Sequence, residues 1–324
     1  MRRLLYALIA MAISIPVAQA KDGELAYTSV KEAGKDYQIQ GEYSGKLDVD
    51  GSRWGAQVIA RGDGKFEAVG LSGGLPGDGW SRGDEILRIA GEMKGEIAVF
   101  EADEFQLHVT GNELKVVSND GEEFGILKRV ERKSPTLGAK PPEGAIILFD
   151  GKSTAHWKRG KLVDKQYLGA TNTETTHKFG DHTLHLEFRT PFMPKSSGQQ
   201  RGNSGMYVQH RYEVQILDSF GLAGKDNECG GIYQIAKPIV NMCLPPLTWQ
   251  TYDVEFTSAK YDDNGKKVEN ARATIKHNGV VIHKNLELKH ATPGGHKESP
   301  DPDSLFLQDH SNPVVFRNIW ALKN

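Results

Sequence analysis

Cysteine is scarce in this chain, with two residues, Cys229 and Cys243, among 324. That excludes a small scaffold stapled by many disulfides. An excess of charge of one sign is also missing, because 40 Lys and Arg face 42 Asp and Glu and no basic block is interleaved with aromatics. The electrostatic footprint of nucleic-acid binding is therefore absent, and a neutral or weakly charged partner fits better. Stretches with apolar residues at every third or fourth position are lacking too, which argues against helical architecture. Beyond the N-terminus no hydrophobic run is long enough to span a membrane.

The one apolar run, residues 4–17, follows Arg2 and Arg3 and ends in Ala18-Gln19-Ala20, a small-x-small cleavage pattern. Residues 1–20 are read as a secretory signal peptide, with the mature chain beginning near Lys21 and a periplasmic or secreted destination. No cysteine near the cleavage point suggests a lipid anchor. In an oxidising compartment Cys229 and Cys243 are expected to pair as a disulfide, in preference to two free buried thiols, closing a loop of about 15 residues.

What fills the rest of the chain is short alternating apolar–polar runs broken by glycine pairs and Asp-Gly turns. The fold class is therefore all-β. In the first half, runs at 55–61 and 65–71 flank Gly62-Asp63-Gly64, and runs at 105–110, 113–118 and 122–129 are separated by Gly111-Asn112 and Asp120-Gly121. Such turns supply the positive φ angles of tight hairpins. Residues 21–132 are read as a small β-meander or barrel-like domain, with the glycine-rich stretch 73–80 as an ordered surface loop. Three prolines and two glycines at 133–144 mark a boundary, giving a linker at 133–143. Runs at 183–189, 206–209, 212–217, 251–257, 271–277, 280–284 and 314–322 then predict a two-sheet sandwich or jelly roll over 144–324.

The stretch from Gly202 to Asp218 carries the chemistry. On a strand, Tyr212, Val214 and Ile216 share one face and Glu213 and Gln215 the other. The apolar set belongs to the core, so Glu213 and Gln215 face a cleft or solvent. A solvated sheet face would need no more than that. The Gly202-Asn203-Ser204-Gly205 turn before the strand, and Asp218 after it, raise a functional reading, since a bulge could bring the Asp218 carboxylate to the same side.

Several motifs together resemble the 3-keto-disaccharide hydrolase domain family over residues 144–324: Leu148-Phe149-Asp150-Gly151-Lys152, Leu184-His185-Leu186-Glu187-Phe188-Arg189, Asn203-Ser204-Gly205, Tyr212-Glu213-Val214-Gln215-Ile216-Leu217-Asp218, Cys229-Gly230-Gly231-Ile232-Tyr233, and Leu307-Gln308-Asp309-His310 with the 312–320 segment ending in Trp320. The resemblance implies a concanavalin A-like jelly roll, glycosides oxidised at C3 as substrates, and an exported sugar-active enzyme. His210 stands where the family more often has a small residue.

In the implied reaction a ketone at C3 acidifies the C2 proton, a base removes it, and the C1 substituent leaves by elimination, with water addition completing net hydrolysis. Candidate bases are Glu213, Asp218 and His310. Arg317, Gln215 or a bound divalent cation are the candidates for holding the enolate oxygen, and Asn203 and Tyr233 for contacting the sugar. His182 and His185 would point to opposite faces of one strand and make no ligand pair, and Asp262-Asp263-Asn264-Gly265 is read as a hairpin turn. Two alternatives keep the sandwich: a laminarinase-like retaining glycosidase, whose Glu-x-Asp-x-x-Glu strand here has Gln215 in the middle, or a non-catalytic carbohydrate-binding module using Trp157, Trp249 and Trp320.

Overall fold

The computed structural model describes residues 25–324; the signal peptide read at 1–20 lies outside the described residues. No helix among them is long and apolar enough to cross a membrane. The chain is almost entirely β, apart from a short helix at Gly34–Ile39 and a single 3-10 turn.

The first half closes into a barrel of eight antiparallel strands, from Gly41–Leu47 to Glu123–Val130, each paired with the next and the first with the last. Alternation builds it: Tyr43, Ala56, Val58, Phe66, Phe100, Leu107 and Leu127 point into one shared interior. Asp63 and Gly64 both adopt positive φ, 54° and 71°, in the hairpin joining Arg53–Gly62 to Lys65–Ser72. The loop expected at 73–80 contains two short paired strands, Leu75–Pro76 and Gly79–Trp80, because Leu75 and Trp80 are buried in the core rather than displayed at the surface.

The second half stacks two sheets. The larger runs in space as Leu162–Val163, Tyr167–Gly169, Val315–Lys323, His182–Arg189, Gln250–Thr257, Ala271–His277 and Val280–Leu288, with Ile146–Phe149 also pairing on Val315–Lys323. The smaller runs Trp157–Lys158, Thr173–Thr175, Phe306–Leu307, Ser204–Val208 and Tyr212–Ile216. Leu186, Phe188, Tyr252 and Phe256 from one sheet meet Met206, Tyr212, Val214 and Leu307 from the other. This is the expected two-sheet sandwich.

Barrel and sandwich share apolar packing, since Ile59, Val69 and Leu71 belong to the sandwich core cluster and Phe192 and Leu247 to the barrel's. Arg82 reinforces the join by donating to four sandwich carbonyls, those of Ala223, Gly224, Pro238 and Ile239. The proline-rich connection is an ordered strap on the larger sheet: Gly138 N donates to Glu187 Oε1 (2.6 Å), and Asn318 Nδ2 and Trp320 Nε1 donate to Ala139 O.

The expected disulfide is not formed. Cys229 and Cys243 are free thiols buried in the sandwich core, where they are hydrogen-bonded to each other and each has a further polar neighbour. Cys229 Sγ lies 3.3 Å from Tyr252 OH, and Cys243 Sγ is directed at the carbonyls of Leu217 and Leu244. Burial pushes the Cys243 thiol well up and keeps it protonated and inert. A thiol-specific chromogen should accordingly detect no cysteine in the native protein and two in denaturant without reductant; zero in denaturant would reinstate the bridge.

Candidate active site

In the Tyr212–Ile216 strand every residue is buried. Tyr212, Val214 and Ile216 enter the sandwich core, so alternation turns Glu213 and Gln215 to the outer face of the smaller sheet. The neighbouring strand places Met206 in the core and Gly205 and Tyr207 outward, in antiparallel register with Tyr207 opposite Glu213. Across it, Gln308 N donates to Gly205 O, which brings the Gln308 side chain to the same face. Loops close the free edge of this strand, where Thr292 Oγ1 accepts from Glu213 N (2.9 Å) and Tyr233 N donates to Glu213 O (3.3 Å), and Pro293 O reaches the outer face to accept from Tyr207 OH (3.4 Å).

Glu213 is only 3% exposed. Its Oε2 accepts the Tyr207 hydroxyl at 2.9 Å, and Gln308 Nε2 donates to that same hydroxyl at 3.1 Å. The lack of a side chain at Gly205 is required, because a Cβ there would overlap Glu213 Oε1 and stand 3.0 Å from Gln308 Oε1. Burial raises the Glu213 carboxyl from its ordinary 4.5 to about 7, against the opposing pull of the Tyr207 hydrogen bond. No cation is paired with it among the described residues. Two amide oxygens, Gln308 Oε1 and Asn203 Oδ1, are buried without a partner, which leaves two acceptors unsatisfied in the structure.

Beside this cluster the His210 ring stacks on His296 (centroids 3.7 Å) and on Phe306 (4.2 Å). His210 occupies the tight turn between the two strands, with φ of 51°. Its Nδ1 lies 3.4 Å from Glu174 Oε2, and His296 Nδ1 lies 2.9 Å from Asp303 Oδ2. Burial, then the His296 charge, holds His210 below the usual histidine range.

Of the residues expected from sequence, Gln215 and Asn203 meet through Gln199, and Tyr233 adjoins Glu213 through its backbone N–H. Gln199 Oε1 accepts from both Gln215 Nε2 and Asn203 Nδ2, and Gln215 Oε1 is taken by Ile216 N. Asp218 does not join them: its Oδ2 is ion-paired with Arg201 Nε at 2.7 Å, both groups buried, and Arg201 Nη1 continues to Ala60 O of the barrel. That carboxylate is committed to a structural pair. His310 is exposed on the loop two residues past Gln308. Arg317 belongs to the larger sheet, on its outer face, where Nε donates to Glu187 Oε2 (2.7 Å) and the guanidinium lies 4.0 Å from the Trp249 ring centre.

Sequence reading missed Tyr207 and Gln308. Tyr207 was accessible from the same alternation that exposed Glu213, whereas Thr292 and His296 reach the site from a distant loop with no local signature. The histidines at 182 and 185 diverge as expected: His182 packs between Phe179 and Phe256, and His185 stacks on Trp320 and bonds Asp253. No group of three His, Cys, Asp or Glu side chains suited to a metal is found among the described residues. Around Glu213 the donors are one carboxylate with amides and a phenol, a set that does not by itself fit a divalent cation.

The second half is a two-sheet β-sandwich with a buried carboxyl on the outer face of its smaller sheet. A sequence model described as the 3-keto-alpha-glucoside-1,2-lyase-like domain matches residues 144–322. The chain belongs to that family, which makes it a glycoside-active enzyme of the hydrolase type. Among solved structures, a candidate glycosyl hydrolase from Parabacteroides distasonis ATCC 8503 is 28% identical with a TM-score of 0.53, the match covering 56% of this chain and 85% of that one. A second from the same organism is 19% identical with a TM-score of 0.40, covering 56% and 94%. No curated protein matches the chain.

Asp218→Ala strands a buried Arg201 and should cost about 3–5 kcal/mol in chemical denaturation. Arg201→Met with Asp218→Leu should restore most of it; no recovery in the double variant would show that the loss does not come from an unpaired Arg201.

Proposed function

We propose that this is an exported enzyme that cleaves glycosides carrying a ketone at C3, with Glu213 as the base. The supporting observation is a lone buried carboxyl at about 7, with the unpaired Gln308 amide oxygen on its face and no cation beside it. A base is most useful when its pKa lies near the working pH. The C3 ketone makes C2–H acidic enough for such a base.

Glu213 takes the C2 proton as the C2–H electron pair forms C1=C2 and the C1–O bond breaks. The leaving oxygen takes up a proton and departs as an alcohol; water then adds across C1=C2 to give the 3-keto sugar. The Tyr207 hydroxyl, held by Gln308, orients Glu213 and stabilises its charged form. Gln308 Oε1 and Asn203 Oδ1 would receive sugar hydroxyls. Arg317 has no part in this step, since Glu187 and Trp249 occupy it on the other sheet. The signal-like residues 1–20 support a periplasmic or secreted setting.

The laminarinase-like reading needs two carboxylates about 5–5.5 Å apart. On this strand the central position is the amide of Gln215, and Asp218 is tied to Arg201, which argues against it. A purely binding role leaves a perturbed carboxyl without purpose. The aromatic platforms considered for such a module are engaged elsewhere: Trp157 Nε1 donates to Leu148 O within the core, Trp249 carries Arg317, and Trp320 carries His185.

Incubation with 3-keto-glucosides and their unoxidised parents should release leaving group from the keto compounds alone; cleavage of the parents would overturn the proposal. Glu213→Gln should lower turnover by about 10²–10⁴-fold while substrate binding survives. On the acid side, wild-type kcat/KM should rise with pH through about 7, following Glu213 deprotonation.

The same group has a stability signature of defined sign. Its folded pKa lies above the unfolded 4.5, so its stabilising contribution is full below 4.5 and lost as pH rises through about 7. Glu213→Gln, permanently neutral, should therefore be more stable than wild type by about 2–3 kcal/mol at pH 8 and equal to it near pH 4.5. A gap that does not change with pH would show that Glu213 is not desolvated.

A further inference from the structure

The barrel interior is filled at one end and open at the other. At the filled end Tyr43, Phe66 and Phe100 pack with Ile39 of the short helix and with Phe192 from the sandwich. Toward the opposite end the lumen-facing positions include Ala56 and Gly70, and a cavity of about 150 Å³ remains. Its wall includes Leu47, Trp54, Leu87, Ile89, Phe105 and Phe124, all only partly buried, so the cavity opens to solvent. Every lining residue is apolar. The one side-chain polar group among them, Trp54 Nε1, is taken by Ser52 Oγ at 3.0 Å.

Eight-stranded barrels have interiors that side chains just fill or that hold one small ligand, and an apolar cavity of roughly 150 Å³ is large enough for benzene. We infer that the open end of the barrel is a binding pocket for one neutral aromatic molecule of one or two rings. The absence of any unpaired donor or acceptor in the wall disfavours a sugar, which would lose its hydrogen bonds to water without replacement. Closure of the barrel leaves no strand edge at the mouth for an extended peptide to pair with, and the cavity is too narrow for a helix about 10 Å across. The pocket does not depend on the proposed role of Glu213.

The full mature chain should bind naphthalene saturably at one site in equilibrium dialysis, and benzene should displace it. Filling the pocket tests the location. A Cβ at Gly70 would stand 3.4 Å from Leu87 Cβ and 3.7 Å from Trp54, so Gly70→Leu projects into the cavity and should weaken binding at least about tenfold with 3-keto-glucoside turnover unchanged. Should Gly70→Leu fail to fold, Val116→Phe, also on the wall, carries the same expectation. No saturable binding by the wild type, more than one equivalent site, or affinity unchanged in the folded filled variant would each overturn the inference.

Discussion

A strand buried on both faces has to satisfy two environments with one alternating sequence, and the Tyr212–Ile216 strand is where this protein meets that constraint. Its odd half, Glu213 and Gln215, and its even half, Tyr212, Val214 and Ile216, are all within 3% of complete burial. The even half needs only packing partners. The odd half needs hydrogen-bond partners or must change protonation. Gln215 finds partners in Gln199 and the Ile216 amide. Glu213 finds one hydroxyl and no cation, and its proton affinity rises instead. The raised proton affinity of Glu213 thus follows from where the strand lies and how few partners its carboxyl is given.

Much of the sandwich was legible because its strands obey a period of two over five to nine residues, and Glu213 was legible with them. Arg317 shows what that reading lacks. Alternation correctly turns it away from the core, since Phe316 beside it is completely buried, but a sandwich has two outer faces and the period does not say which sheet a strand joins. Asp218 fails for another reason. It lies beyond the strand end, where alternation no longer constrains direction, and its partner Arg201 is seventeen residues back. Phe306–Leu307, two residues long, is too short to carry any period, so the Leu307-Gln308-Asp309-His310 motif did not show that Gln308, and not His310, faces Glu213.

The disulfide expectation rested on compartment and an even count; the fold does bring the two thiols together in the sandwich core, as a hydrogen-bonded pair and not as a bridge. Tyr252 shows how close that core is to the site, since its hydroxyl touches Cys229 and donates to Gln215 O at 2.7 Å. The buried polar groups beneath the Glu213 strand therefore form part of what fixes its position. Arg201, bonded both to Asp218 and to the barrel's Ala60, extends the same support to the first half of the chain. The barrel contributes to the sandwich core through Ile59, Val69 and Leu71, so the two halves are energetically joined even though their strands belong to separate sheets.

Glu187 and Glu213 make the strongest argument for which face is chemical. Both carboxylates are almost fully buried, on opposite outer faces of one sandwich. For both, burial is the leading influence and raises the pKa. At Glu187 it is outweighed by His185, Asn318, the Gly138 amide and Arg317, and the carboxyl is drawn down to about 2. At Glu213 only Tyr207 opposes it, and the carboxyl stays near 7. A carboxylate satisfied by four partners is stable and a poor base. One left with a single neutral donor costs stability when ionised, and a structural role gives no account of that cost. The same desolvation that destabilises the charged form strengthens its basicity toward a carbon acid, which is why the sparsely supported glutamate, rather than the well-supported one, is the group suited to proton abstraction.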